Sequence, residues 1–455
     1  MKILLIQPRK PEEAIGGEDF HIFEPLALEY LASAVRDHHD VKILDMRLEN
    51  DLDTVLNSFN PDVVGITAYT VHVNVVKLLF EKIKKANPEI FTVVGGHHAT
   101  VMPEDFINHP FVDLAVVGEG VFTFKEVIAR LDTRRDIDGI PGTAFRKNGK
   151  VIVNKSGQVD DLDSFPFPDR NLTRKYRNSY FSEWMKPLAS IRTSKGCFFK
   201  CNFCALWKLT GGKYLTRNPE SIVKELGAIE EDFVFFSDDE SLLDANRMKV
   251  LAGLIKEAGI KKQYFLYGRS DTIAKYPDLI ETWKKVGLKR VFVGLESFRD
   301  DDLKQIRKGS TIKNNVEAVR ILKSLDIDIF PNFMVKPDFS KDDFEELRNF
   351  CLNLNLDFIG FSVMTPLPGT DLFDEVENKL IIDNYDYCDF FHTHLPTKLP
   401  LEEFYKEYIA LYNKSRSISN QISFLRKYPI SEIPSLFKIY FRFMKQLKNV
   451  DKDYI

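Results

Sequence analysis

Cys197-Phe198-Phe199-Lys200-Cys201-Asn202-Phe203-Cys204 puts three thiols within eight positions of a chain that has only five cysteines in 455 residues. Directly before it, Leu188-Ala189-Ser190-Ile191-Arg192-Thr193 reads as a buried strand. Five more strand candidates follow, at Phe233–Ser237, Gln263–Gly268, Arg290–Leu295, Ile327–Val335 and Leu356–Met364. Amphipathic stretches separate them; in one, Met248, Leu251, Leu254, Ile255 and Ala258 share a helical face. Six strands alternating with helices predict a parallel partial barrel over 188–394, whose chemistry lies at the strands' carboxyl ends. The cysteine loop leaves the first strand at that end.

Three thiolates at this spacing can hold three irons of a four-iron cluster on one tight loop, leaving the fourth iron without a protein ligand. A zinc site is the metal alternative, but it usually needs four closed ligands, and the sequence has no second Cys pair or nearby His pair. Three buried structural thiols stay open on physical grounds, although such clustering in a cysteine-poor chain is improbable by composition. Cys351 lies on an amphipathic stretch and reads as a buried apolar thiol. Cys388, near His392 and His394, is either reactive or structural, and the two histidines either line a cavity or serve as internal hydrogen-bond partners.

Residues 1–150 repeat the strand and helix alternation at Lys2–Gln7, Val41–Asp45, Asp62–Thr67, Phe91–Val94 and Asp113–Val117, which predicts a doubly wound, Rossmann-like α/β sheet. A helix is expected over Glu24–Val35, with Pro25 at its start and Leu26, Leu28, Leu31 and Ala34 near one face. Small or polar residues follow the strands: Thr67-Ala68-Tyr69-Thr70, Gly95-Gly96-His97 and Gly118-Glu119-Gly120. Carboxyl ends form the ligand crevice of an open parallel sheet, and glycines there admit a large flat ligand. The proline-punctuated stretch around Phe165-Pro166-Phe167-Pro168-Asp169-Arg170 marks a connector over 151–187, and 395–455 reads as a helical C-terminal region.

A balance of 63 basic against 67 acidic residues, net −4, disfavours a nucleic-acid partner. The apolar run at Ile3–Ile6 is too short for a signal peptide, and no segment approaches the ~18–20 apolar residues of a membrane span. The expected location is therefore the cytoplasm. The helix around Leu436-Phe437-Lys438-Ile439-Tyr440-Phe441-Arg442-Phe443-Met444-Lys445 mixes aromatic and basic residues. It either packs on the barrel with its cations outward or makes peripheral contact with the membrane's inner face.

The cysteine spacing, with Phe203 before the third Cys, resembles the radical S-adenosylmethionine superfamily motif. The resemblance implies a 4Fe-4S cluster on Cys197, Cys201 and Cys204 and a partial (β/α)6 barrel. It also implies S-adenosylmethionine contacts from Asp238 and Asp239 after the second strand, Arg269 and Ser270 after the third, and Glu296 after the fourth. Val335-Lys336-Pro337-Asp338 departs from the family's Pro-Gly turn. The N-terminal sheet resembles the cobalamin-binding domain of cobalamin-dependent members, which implies cobalamin contacts at Thr67, Ala68, Tyr69, Thr70, Gly95, Gly96, His97, Gly118, Glu119 and Gly120.

Asp37-His38-His39-Asp40 lacks the glycine of the Asp-x-His-x-x-Gly motif, so no histidine is expected to bind cobalt. Cys204-Ala205-Leu206-Trp207, Thr365-Pro366-Leu367-Pro368-Gly369-Thr370 and His394-Leu395-Pro396-Thr397 are similar to the hopanoid C-3 methylase subgroup. These similarities imply methylation of an unactivated carbon in an apolar, isoprenoid lipid substrate through a 5′-deoxyadenosyl radical and methylcobalamin. They imply ferredoxin or flavodoxin as electron donor. Ring or carbon-carbon bond formation without methyl transfer is the alternative, and a non-enzymatic iron-sulfur or corrinoid carrier is a third reading.

Overall fold

Strand β1 (Lys2–Gln7) buries Ile3, Leu4, Leu5 and Ile6 almost completely, because helices cover both faces of the sheet that it enters. In the computed structural model, which describes residues 1–157 and 159–454, β1 pairs in parallel with β2 (Asp40–Asp45) on one side and β3 (Val63–Thr67) on the other. Parallel β4 (Phe91–Gly95) and β5 (Leu114–Val116) extend the sheet, and antiparallel β6 (Thr143–Lys147) and β7 (Lys150–Val153) complete the order β2-β1-β3-β4-β5-β6-β7. Alternate residues of β1 feed opposite cores. Leu4 and Ile6 pack with Phe80 and Phe106, whereas Ile3 and Leu5 pack with Leu28, Ala32 and Phe124. The chain leaves β1 to one side for β2 and to the other for β3, so a switch-point crevice opens at the carboxyl ends of β1 and β3.

The first compact unit comprises Met1–Tyr180 with Asn384–Cys388, a longer span than the expected 1–150. Two causes extend it. The hairpin β6–β7 belongs to the sheet, and the expected connector packs along helix α1 (Leu26–Val35) by polar contacts that leave no apolar period in the sequence. Asp169 N–H donates to the Glu29 carbonyl (3.2 Å), Thr173 Oγ1 donates to the Glu29 carboxylate, and Tyr180 Oη donates to Asp45 (3.3 Å). Glu24 pairs with Arg177, and Asp45 with Arg47.

The second unit, residues 181–383 and 389 onward, carries six parallel strands: β8 (Leu188–Ile191), β9 (Phe233–Phe236), β10 (Gln263–Tyr267), β11 (Leu288–Glu296), β12 (Asp328–Val335) and β13 (Gly360–Val363). Trp283 packs edge-on to Phe236 and Tyr264 on the helix-covered side. The opposite face carries an aromatic row that runs from Phe235 through Phe265, Tyr267 and Phe292 to Phe330, with neighbouring ring centroids 4.9–5.9 Å apart. Buried Arg290, near the amino end of β11, pairs with Glu183 and with Asp328 (2.8 Å) at the start of β12.

Strand β13 ends an open barrel, and its edge needs partners. Tyr408 and Tyr412 of helix α2 (Leu401–Lys414) both donate to the Phe361 carbonyl, at 2.7 and 2.8 Å. The helical C-terminal region therefore belongs to the barrel unit.

Candidate cluster and cofactor sites

The loop after β8 is held before it reaches its first cysteine. Asp238, buried just past β9, accepts from Thr193 N–H (2.7 Å), Thr193 Oγ1 (2.6 Å) and Ser194 N–H (2.8 Å). Asp239 accepts from Gly196 N–H at 2.6 Å. Gly196 has φ 92, and a side chain there would run into the Lys213 carbonyl, so the turn into Cys197 needs glycine. Asp238 and Asp239, expected to meet S-adenosylmethionine, thus brace the cysteine loop.

Beyond Cys197 the loop is tied from several sides. Cys201 carbonyl oxygen accepts from Cys204 N–H (3.2 Å) and from the Trp207 indole (3.2 Å), Asn202 N–H donates to the Ile306 carbonyl (3.2 Å), and Leu372 N–H donates to the Asn202 carbonyl (2.8 Å). Phe203 packs against the cluster of Leu303, Ile306 and Met334 and so anchors the loop.

All three thiols are unpaired; Cys201 is buried and Cys197 and Cys204 are half-buried. Burial pushes the Cys197 thiol up and that of Cys204 up to about 12, so iron would have to displace their protons. Among the described residues no three His, Cys, Asp or Glu side chains converge on one point as ligands to a single ion. A four-iron cluster does not require convergence, since each thiolate takes a different iron. Cys351 is buried on a barrel helix, and Cys388 belongs to the first unit, so the loop supplies three thiols and the donor set fits a cluster with one open iron.

Around that loop the strand ends carry buried charge. Glu240 accepts from the backbone N–H of Leu242 (3.2 Å) and of Arg269, and desolvation pushes its carboxyl up to about 8. Arg269 lies over the Phe199 ring (3.4 Å to the centroid) and donates to Asp271 (2.9 Å) and to the Lys308 carbonyl (2.5 Å). Ser270 Oγ and Ser310 Oγ are 2.9 Å apart. Glu296 ends β11 with φ 62, an uncommon conformation for a residue with a side chain, and accepts from Lys308 Nζ at 2.7 Å. The pair is buried; desolvation works against the charge on Lys308, and the Glu296 carboxylate beside it raises the Lys308 pKa above its ordinary value. Sequence reasoning missed Lys308 and Thr193. Nothing in the local sequence singles out Arg307-Lys308-Gly309-Ser310, and only the closeness of Gly309 to the Phe199 ring makes the run part of the site.

At the carboxyl ends of β3 to β5 charge gives way to backbone. Ala68 N–H donates to the Gly95 carbonyl (2.8 Å), and Gly96, at φ 101, comes so near Ala68 that a Cβ would stand 2.7 Å from its oxygen. Tyr69 is 52% exposed and meets His97 edge-on at 5.0 Å. Thr70 Oγ1 lies 3.2 Å from Nδ1 of His98, Gly118 N–H donates to Thr100 Oγ1 (3.1 Å), and Glu119 accepts from Gly120 N–H (3.1 Å) at a helix start. His72 is buried and accepts from Tyr69 N–H (3.3 Å); desolvation draws its pKa down to about 4, so it is neutral. This shelf of close-approaching backbone with exposed rings suits a flat ligand. His38 is exposed in the turn before β2, and His392 is held by Asp389 (2.9 Å) and Asp453 (3.1 Å), the structural option for that histidine.

The B12 binding domain family matches residues 14–128, and the Radical SAM superfamily matches residues 191–351. Over 430 residues the chain is 33% identical to the hopanoid C-3 methylase of Methylococcus capsulatus, covering 91% of this chain and 81% of that protein. The chain belongs to the cobalamin-dependent radical S-adenosylmethionine methyltransferases. An uncharacterized methyltransferase of Pyrococcus horikoshii is 31% identical over 84% of each chain. The solved structure of OxsB with aqua-cobalamin and S-adenosylmethionine superposes with a TM-score of 0.73, at 18% identity, over 99% of this chain and 71% of that one. TsrM of Kitasatospora setae, with cobalamin and a [4Fe-4S] cluster, gives 0.68 at 20% identity over 83% and 78%. At such identities the likeness shows the fold.

This radical S-adenosylmethionine methyltransferase uses a 4Fe-4S cluster, S-adenosylmethionine and cobalamin. Its barrel unit contains a cavity of about 460 Å³ that reaches the cysteine loop at Asn202, with a mixed wall in which Ile306, Met364 and Leu372 stand beside charged Arg307, Lys336 and Glu375.

Proposed function

We propose that the chain methylates an unactivated carbon of an apolar, isoprenoid lipid. The observation that carries this reading is the similarity to the hopanoid C-3 methylase along nine-tenths of the chain. The aromatic row inside the barrel supports it. In this reading Cys197, Cys201 and Cys204 hold the cluster. Arg269, Ser270, Glu240 and the Glu296–Lys308 pair bind the polar parts of S-adenosylmethionine, where opposite charges and dry surroundings strengthen each contact. Residues 67–70, 95–97 and 118–120 cradle cobalamin, and Tyr69 and His97 lie against it.

When bound, these groups supply a hydrogen-abstracting radical and a methyl donor. The protein's own task is to hold the reactants in register and exclude water. The balance per turnover is two S-adenosylmethionine, two electrons and one substrate C–H, giving the methylated product, S-adenosylhomocysteine, methionine and 5′-deoxyadenosine. Ferredoxin or flavodoxin would deliver the electrons. The same reading puts the enzyme in the cytoplasm, peripherally at the inner face of the membrane.

Expression in an isoprenoid-producing host, fed methionine carrying a deuterated methyl, tests it by mass spectrometry of the lipids. A product heavier by one deuterated methyl supports the reading. Unlabelled cyclised products sink it in favour of ring formation, and unchanged lipids with a labelled polar metabolite overturn the substrate class. Reconstituted enzyme should release S-adenosylhomocysteine and 5′-deoxyadenosine in equal amounts.

A further inference from the structure

Helix α3 (Ile433–Leu447) packs Phe443, Met444 and Leu447 inward, with Phe443 5.3 Å from Tyr412. Its other face carries Phe437 and Phe441, 44% and 66% exposed and stacked at 6.3 Å, followed by Lys445 and Lys448. The preceding helix, Ile418–Leu425, repeats the arrangement, with Ile418 (76% exposed) and Ile422 (46%) four apart and Arg426 four further on. Ile430, between the helices, is 87% exposed. Apolar side chains this large do not stay in water without cost, and a patch of them marks an interaction site.

Charge identifies the partner. Residues 414–448 hold eight Lys or Arg and one acidic residue, Glu432, on a chain whose net charge is −4. Two of the eight are engaged inside the unit: Lys427 with Asp328 and Asp357, and Arg416 with the Asp357 carbonyl. Lys414, Arg426, Lys438, Lys445 and Lys448 are exposed. Exposed aromatic and aliphatic residues beside unburied cations are the composition of a surface that enters the headgroup region of an anionic bilayer. No helix among the described residues is long and apolar enough to cross it.

We infer that the outer face of residues 414–448 docks the enzyme on anionic phospholipid, with Ile430, Phe437 and Phe441 inserted and the lysines against phosphate. The inference rests on the lipid-substrate reading, because it supplies the route from bilayer to barrel.

Full-length protein is sedimented with vesicles of phosphatidylglycerol and phosphatidylcholine, or of phosphatidylcholine alone. Binding should favour the anionic vesicles about tenfold and weaken with salt. The Phe437→Ser/Phe441→Ser and Lys438→Glu/Lys445→Glu pairs should each lower it about tenfold with unchanged circular dichroism. Equal or absent binding to both vesicles overturns the inference. So does a variant that changes the oligomeric state while vesicle binding stays at the wild-type value. Reductive formation of 5′-deoxyadenosine without lipid reports on the catalytic reading separately. Its loss with vesicle binding intact breaks that reading alone.

Discussion

The parallel strands of the two sheets present different chemistry at their carboxyl ends. In the first unit buried charge gathers at β1 and β2, where Glu24, Glu29, Asp45 and Arg47 meet residues 169–180, and the ends of β3 to β5 are left to glycine and exposed rings. In the barrel the buried charge stands at the strand ends around the cysteine loop, where Asp238 braces that loop and Glu296 pairs with Lys308. A broad flat cofactor is recognised by close approach of backbone, whereas a small zwitterion and an iron cluster need fixed charges in dry surroundings.

The sharpest way to separate the two ends is Cys201→Ala. It should abolish iron binding at this loop and lower 5′-deoxyadenosine formation by at least about a hundredfold, about 3 kcal/mol. Cobalamin affinity, read from absorbance titration, should not change; a parallel loss would break the comparison. Asp238→Ala leaves two buried N–H groups and a hydroxyl without their acceptor, and about 3 kcal/mol of stability should go with it. Thermal melting and iron content should fall together, while Asp238→Asn keeps part of both.

Gly96→Ala is the converse test. A φ of 101 and the clash with Ala68 predict about 1–2 kcal/mol of strain and weaker cobalamin binding, with iron content unaffected. The smallest effect is a pH dependence at Glu29. Desolvation, with Glu24 next, raises its carboxyl above the ordinary 4.5. The folded chain then holds a proton that the unfolded chain releases, so stability falls as pH rises from about 4.5 toward the raised value. Glu29→Gln should flatten that fall by about 1 kcal/mol in denaturant melts at pH 5 and 8.

Much of this fold is legible in the order of residues alone. The strands β1 to β5 and β8 to β13 lie within a few residues of their expected positions, because buried parallel strands are short apolar runs bounded by turn residues. The hairpin β6–β7 escapes such a reading, since Arg146, Lys147 and Lys150 interrupt its apolar signal. Residues 162–180 lie within the expected 151–187 connector for a related cause. They are fastened by Asp169, Thr173 and Tyr180 rather than by a hydrophobic stripe, and hydrogen bonds to partners more than a hundred residues away leave no local period.

Within the site the cysteines announce themselves by spacing alone, and the strand-end residues by their place after apolar runs. Their partners cannot be read in the same way. That Asp238 faces Thr193, that Lys308 neutralises Glu296 and that Tyr408 caps the edge of β13 are facts of separation in space. Sequence by itself determined the chemistry on offer, three thiols, two parallel sheets and a basic aromatic tail, because residue type and local period are properties of a short stretch of chain. Only the tertiary structure decided which carboxylates brace the cysteine loop and which face of the tail meets solvent, because burial and pairing are settled by what packs alongside.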